Sequence, residues 1–119
     1  MQPGRLDLTI YAGSTRNIQV QWKGGDPAVP VDITNYTARM QIRKRAGDPV
    51  IIDELTTANS RIAITNAAQG ILEVKFPATT TAAYDFCVAV YDLELVAPDT
   101  TTVYRILEGS VTLSPEVTK

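Results

Sequence analysis

The chain has 119 residues and a mass of 12.9 kDa, with 45% hydrophobic and 20% charged residues: the size of one domain with a single core, and the balance of a folded globular protein rather than a disordered or membrane chain. A formal charge of −2 and a pI near 5.0 give no general attraction to nucleic acid or anionic lipid. With no histidine, the chain excludes a Ser-His-Asp triad, a Cys-His pair and a histidine-based zinc site.

The N-terminus, Met1-Gln-Pro-Gly-Arg-Leu-Asp7, lacks the apolar stretch of a signal peptide, and no window carries the roughly 18 apolar residues of a membrane-spanning helix. Cys87 is the one cysteine, so no internal disulfide can form. These features predict a protein made in a reducing cytoplasm, with no membrane partner and no sequence-specific nucleic-acid partner.

In chain order, Leu6, Leu8 and Ile10 alternate with Asp7 and Thr9, and Ile18, Val20 and Trp22 alternate with Gln19, Gln21 and Lys23. This period of two predicts two strands with one face buried, split by the turn at Gly13-Ser-Thr15. Gly24-Gly-Asp-Pro-Ala-Val-Pro30 reads as a loop, because its glycines and prolines disfavour a regular element. The segment Ala38–Arg45 predicts a third strand, with Ala38, Met40 and Ile42 inward, Arg39, Gln41 and Arg43 outward, and a turn at Ala46-Gly-Asp-Pro49.

Val50–Thr57 supplies a fourth strand. Arg61–Thr65 and Ile71–Phe76 form a hairpin that wants a positive φ at Gly70. Ala78–Tyr84 is too short and too rich in threonine for more than one helical turn. Asp85–Val96 and Val103–Val117 form a final hairpin across Ala97-Pro-Asp-Thr-Thr101, with Ser114–Lys119 as a tail. About eight strands at this spacing predict an all-β protein, an immunoglobulin-like antiparallel β-sandwich spanning residues 1–119 as a single domain, with a small β-barrel as second choice.

No catalytic, cofactor or metal site is expected. Cys87 lies between Phe86 and Val88 and reads as an inert core thiol. Asp92 and Glu94 share one side of their strand, opposite Tyr91, Leu93 and Leu95, as solvated side chains do. Asp26, Asp48 and Asp99 lie in separate Asp-Pro or Pro-Asp turns, where aspartate is at home without a metal. Trp22 and Tyr91 read as core, Tyr11, Tyr36 and Tyr104 stay open, and Tyr84 sits where sandwiches place a corner tyrosine.

The densest charge cluster is Arg39, Arg43, Lys44 and Arg45. Without interleaved aromatics or a glycine-rich phosphate loop, it reads as a partner-facing strand face suited to an acidic protein surface. Together with Asp26 in the glycine- and proline-rich loop, Tyr36 and the two termini, it makes up the candidate partner-binding set.

The phrases Asp32-Ile-Thr-Asn-Tyr-Thr-Ala-Arg-Met-Gln-Ile-Arg43 and Leu107-Glu-Gly-Ser-Val-Thr-Leu-Ser-Pro-Glu-Val-Thr118, with Arg16-Asn-Ile-Gln-Val-Gln-Trp22 and Tyr91-Asp-Leu-Glu-Leu95, carry a resemblance. The chain resembles small virion proteins of tailed bacteriophages, and in particular the immunoglobulin-like domain that opens the baseplate upper proteins of some phages. The resemblance implies a non-enzymatic structural component of tail, baseplate or neck. Such a component is made in the host bacterial cytoplasm and resides in the virion, in symmetric copies that hold fibres or receptor-binding parts. The chain stops at Lys119 with no fibre segment, so a stand-alone adaptor subunit is expected. A carbohydrate- or receptor-binding module using Tyr11, Tyr36 or Tyr104 is the alternative, with a capsid decoration protein beside it.

Overall fold

The computed structural model describes residues 3–25 and 27–117. The strands are β1 (Gly4–Arg5), β2 (Leu8–Tyr11), β3 (Arg16–Gln21), β4 (Lys23–Gly24), β5 (Val29–Pro30), β6 (Thr37–Arg43), β7 (Asp53–Thr56), β8 (Ile62–Asn66), β9 (Ile71–Phe76), β10 (Val88–Val96) and β11 (Val103–Ser114). Eight of these have four residues or more. A 3-10 turn (Ala67–Gln69) and a single short helix, α1 (Ala78–Ala82), complete the elements.

Two sheets carry the fold. The larger runs β1-β11-β10-β6-β7, with β2 also paired to β11, and the smaller runs β3-β9-β8. The protein is an all-β sandwich with no closed barrel. Its pairings are antiparallel, except that β1 and β2 both run parallel to β11.

Period-two patterning explains the faces. Ala38, Met40 and Ile42 of β6 are buried, as are Ala89, Tyr91, Leu93 and Leu95 of β10 and Leu72, Val74 and Phe76 of β9. Side chains from both sheets join Trp22, Ile33 and Phe86 in one core. Burying a leucine- or phenylalanine-sized side chain is worth about 1.5–3 kcal/mol, so these alternating rows hold the sheets together.

Local chemistry sets the turns. Gly70 has φ +68°, as the hairpin expectation required, and a Cβ there would lie 2.6 Å from the Val31 carbonyl oxygen and 2.7 Å from that of Trp22. Asp99 accepts the amides of Thr101 and Thr102 and the Thr102 hydroxyl. These bonds hold its carboxyl down at about 2 and fix the β10–β11 turn.

Several expectations change. The loop at Gly24–Pro30 contains a two-residue ribbon in which Lys23 and Gly24 pair with Pro30 and Val29; proline is tolerated there because the ribbon has no further strand to pair with. The strand expected over Val50–Thr57 begins at Asp53, and Val50 is 66% exposed. Cys87, expected in the core, is exposed. A bend at Cys87 precedes β10 and shifts the phase, so Phe86 takes the buried position.

Tyr84 is structural, but not as a corner tyrosine bonded to nearby backbone. Its hydroxyl donates to Asp53 Oδ2 at 2.5 Å. Asp53 in turn receives both terminal nitrogens of Arg61, at 2.8 and 3.3 Å, while Arg61 Nε donates to the Lys75 carbonyl at 2.9 Å. This clasp ties the β7 edge of the larger sheet to β8 and β9 of the smaller one.

Candidate functional site

The outer face of the larger sheet gathers the charged side chains that alternation expels from the core. Its register forms two rows across the strands. In one, Arg39 of β6 faces Glu94 of β10, which faces Arg105 of β11. In the next, Glu54 of β7 faces Gln41, then Asp92, then Glu108, which faces Arg5 of β1.

A bulge in β11 makes this arrangement possible. Leu93 faces Leu107, yet Glu94 faces Arg105, so Ile106 is an additional residue and is buried. The bulge reverses the phase of β11. Arg105 and Glu108, three positions apart, then share the outer face, and Tyr104 turns inward against Trp22 at 5.2 Å.

Opposite charges are interleaved at bonding distance. Arg39 Nε donates to Glu94 Oε1 at 2.8 Å, and Gln41 Nε2 donates to Glu54 Oε2 at 2.6 Å. Arg105 reaches Asp92 at 3.5 Å and Glu108 at 3.8 Å, separating two carboxylates that stand directly opposite each other. Even so, burial, followed by the charge of Glu94 and with a further contribution from Glu108, raises Asp92 above the usual carboxylate range against the pull of Arg105. Arg5, Arg43, Arg105, Asp92 and Glu108 line an open depression of about 390 Å³. Such a surface suits a polar partner of complementary pattern better than an enclosed small ligand.

The expected partner-binding residues separate. Arg39 lies on this face but is engaged by Glu94. Arg43 lies at its margin and donates to the Asp48 carbonyl at 2.5 Å and to Gln41 Oε1 at 2.7 Å. Lys44 and Arg45 are exposed past the end of β6; Arg45 stands 4.0 Å from Asp48, and Lys44 lines a different depression beside Tyr84. Tyr36 packs edge-on against Trp22, with ring centroids 6.5 Å apart. Asp26 lies outside the described residues, as do positions 1–2 and 118–119 of the termini.

Arg5, Glu54, Arg105 and Glu108 did not stand out in the sequence. The signal for Glu54 was local: it precedes the apolar Leu55, which is buried, so alternation along β7 turns Glu54 outward. For Arg105 and Glu108 there was none, because their shared face depends on the bulge. Among the described residues, no group of three or more acidic or cysteine side chains is placed to hold a metal ion, and no helix is long and apolar enough to cross a membrane. Compared with known proteins, the chain matches no protein-family model and no curated protein.

Proposed function

We propose that this protein is a non-enzymatic structural subunit of a tailed-phage virion, an adaptor in tail, baseplate or neck that binds other virion proteins through the outer face of its larger sheet. The observation that carries the reading is the two-row pattern of that face: three arginines and four acidic residues (Arg5, Arg39, Arg105; Glu54, Asp92, Glu94, Glu108) stand on paired strands. Charges fixed in place favour one register of docking and penalise others. Assembly proteins use such surfaces in many copies, where avidity replaces a single tight site. The phrases Asp32–Arg43 and Leu107–Thr118 supply the phage context through resemblance.

The test is co-sedimentation. Phage particles produced from the genome that encodes the chain are banded by density and probed with an antibody raised against it. A 12.9 kDa band travelling with the particles, and reduced there by Arg105→Glu, is the expected result. A chain that stays wholly in the soluble lysate while particles band without it rules the reading out.

A further inference from the structure

The smaller sheet ends on β3, and this edge differs from the others. Beside the Gln21–Ile71 partner pair, the Trp22 amide donates to the Gly70 carbonyl at 2.9 Å. Opposed pairs in an antiparallel ladder alternate between bonded and unbonded. The backbone groups of Arg16, Ile18 and Val20 therefore point toward β9, and those of Asn17, Gln19 and Gln21 point away. Among the described residues, no strand pairs with that outward side.

Solvent-facing edges are ordinarily blunted by short length, charge, proline or a bulge. β1 has two residues, β7 has four and carries Asp53 and Glu54, and β8 has a register shift between Ile64 and Asn66. β3 carries a single charge, Arg16 at its first position, and otherwise none of these devices. It runs six residues in unbroken register and exposes the uncharged Asn17, Gln19 and Gln21. On its inner side Ile18 and Val20 stay only partly buried, although their partners on β9, Val74 and Leu72, are 3% and 0% exposed. An added strand would cover them.

We infer that β3 pairs with β3 of a second copy, antiparallel about a two-fold axis through Gln19, fusing two three-stranded sheets into one continuous sheet. In that register Asn17 faces the partner's Gln21, Gln19 faces its own equivalent and Ile18 faces the partner's Val20. The three outward-pointing residues of each copy are thereby matched, giving about six backbone hydrogen bonds. Apolar side chains meet apolar ones and amides meet amides. Arg16 falls opposite the partner's Trp22 and Lys23 opposite the partner's Thr15, so no like charges face each other. This self-complementarity is what selects a second copy over an unrelated strand, and the inference stands without the virion reading.

The test follows solution mass and amide exchange across a concentration series. A reversible dimer is expected, with the amides of Asn17, Gln19 and Gln21 slowing as concentration rises while those of Ile18 and Val20, already bonded to β9, do not change. Gln19→Lys places two ammonium groups across the axis and should weaken the dimer by about tenfold or more, without altering the melting temperature at concentrations low enough that both chains are monomeric. Gln19→Pro removes an amide that β9 does not use and should act the same way. A wild-type chain that remains monomeric at millimolar concentration overturns the inference, as does an oligomer that Gln19→Lys leaves unchanged.

Discussion

Arg61 holds Asp53 with two nitrogens, at 2.8 and 3.3 Å, with both side chains mostly buried. The pair spans the two sheets, and Tyr84 completes it from the segment after α1. Removing one member strands the other in a desolvated position. Arg61→Ala is therefore expected to cost about 2–4 kcal/mol, read by urea unfolding. The double change Arg61→Met with Asp53→Leu should recover part of that loss, because an apolar pair leaves no orphaned charge. Equal instability of the single and double variants would show that the clasp matters only as packing.

Burial raises two tyrosines. Tyr91, which donates to the Leu6 carbonyl at 2.6 Å, is pushed up to about 12, and Tyr84 is raised as well, by burial first and then by Asp53. A folded-state value above the unfolded one means that the native state holds the proton longer. The associated stability is fully present below pH 10 and is lost as pH climbs through the folded values. Between pH 10 and 12 each group should lower stability by about 1.4 kcal/mol per pH unit. Tyr91→Phe, compared with wild type by thermal melts over that range, should flatten the slope.

Gly70 and Gly47 share a positive φ, +68° and +83°, but not their surroundings. A Cβ at Gly47 meets nothing within 4 Å, whereas one at Gly70 runs into the carbonyls of Trp22 and Val31. Gly47→Ala should cost about 1 kcal/mol for conformation alone. Gly70→Ala should cost about 3 kcal/mol or more, since backbone rather than a flexible side chain must yield. Similar midpoints for the two variants in denaturant titrations would contradict this.

Arg105 separates Asp92 from Glu108 on a partly exposed face. Arg105→Glu should destabilise by only about 1 kcal/mol at neutral pH, because solvent screens the group. The added negative charge should raise Asp92 further and make the variant relatively more stable at pH 4 than at pH 7. Carbon-detected NMR titration of Asp92 is the direct readout.

Strand period was legible wherever one face is dry and the other wet. Met40 and Ile42 against Gln41, and Leu93 and Leu95 against Glu94, place β6 and β10 correctly and with them the sandwich. Pairing was not legible, because register and neighbours are long-range properties. Nothing local says that β2 lies parallel to β11, that Ile106 is an additional residue, or that Arg61 finds Asp53. Cys87 misled for a related reason: an apolar run looks continuous, but the bend before Val88 resets its phase. The basic cluster Arg39–Arg45 looked like one site because charge was counted along the chain, whereas Glu94 and the Asp48 carbonyl reach Arg39 and Arg43 across it.

The parallel docking of β1 and β2 on β11 also sets an order of events during synthesis. The carboxylate of Asp7 accepts the Ser110 amide across 103 residues of chain, so the segment that carries Asp7 has no seat until Ser110 has been made. Closure over such a long loop is slow. The nascent chain must carry Leu8 and Ile10, both buried in the finished protein, uncovered until β11 is made. A holdase chaperone that binds short apolar segments would find its target there, and its release would coincide with the arrival of Val111 opposite Leu8.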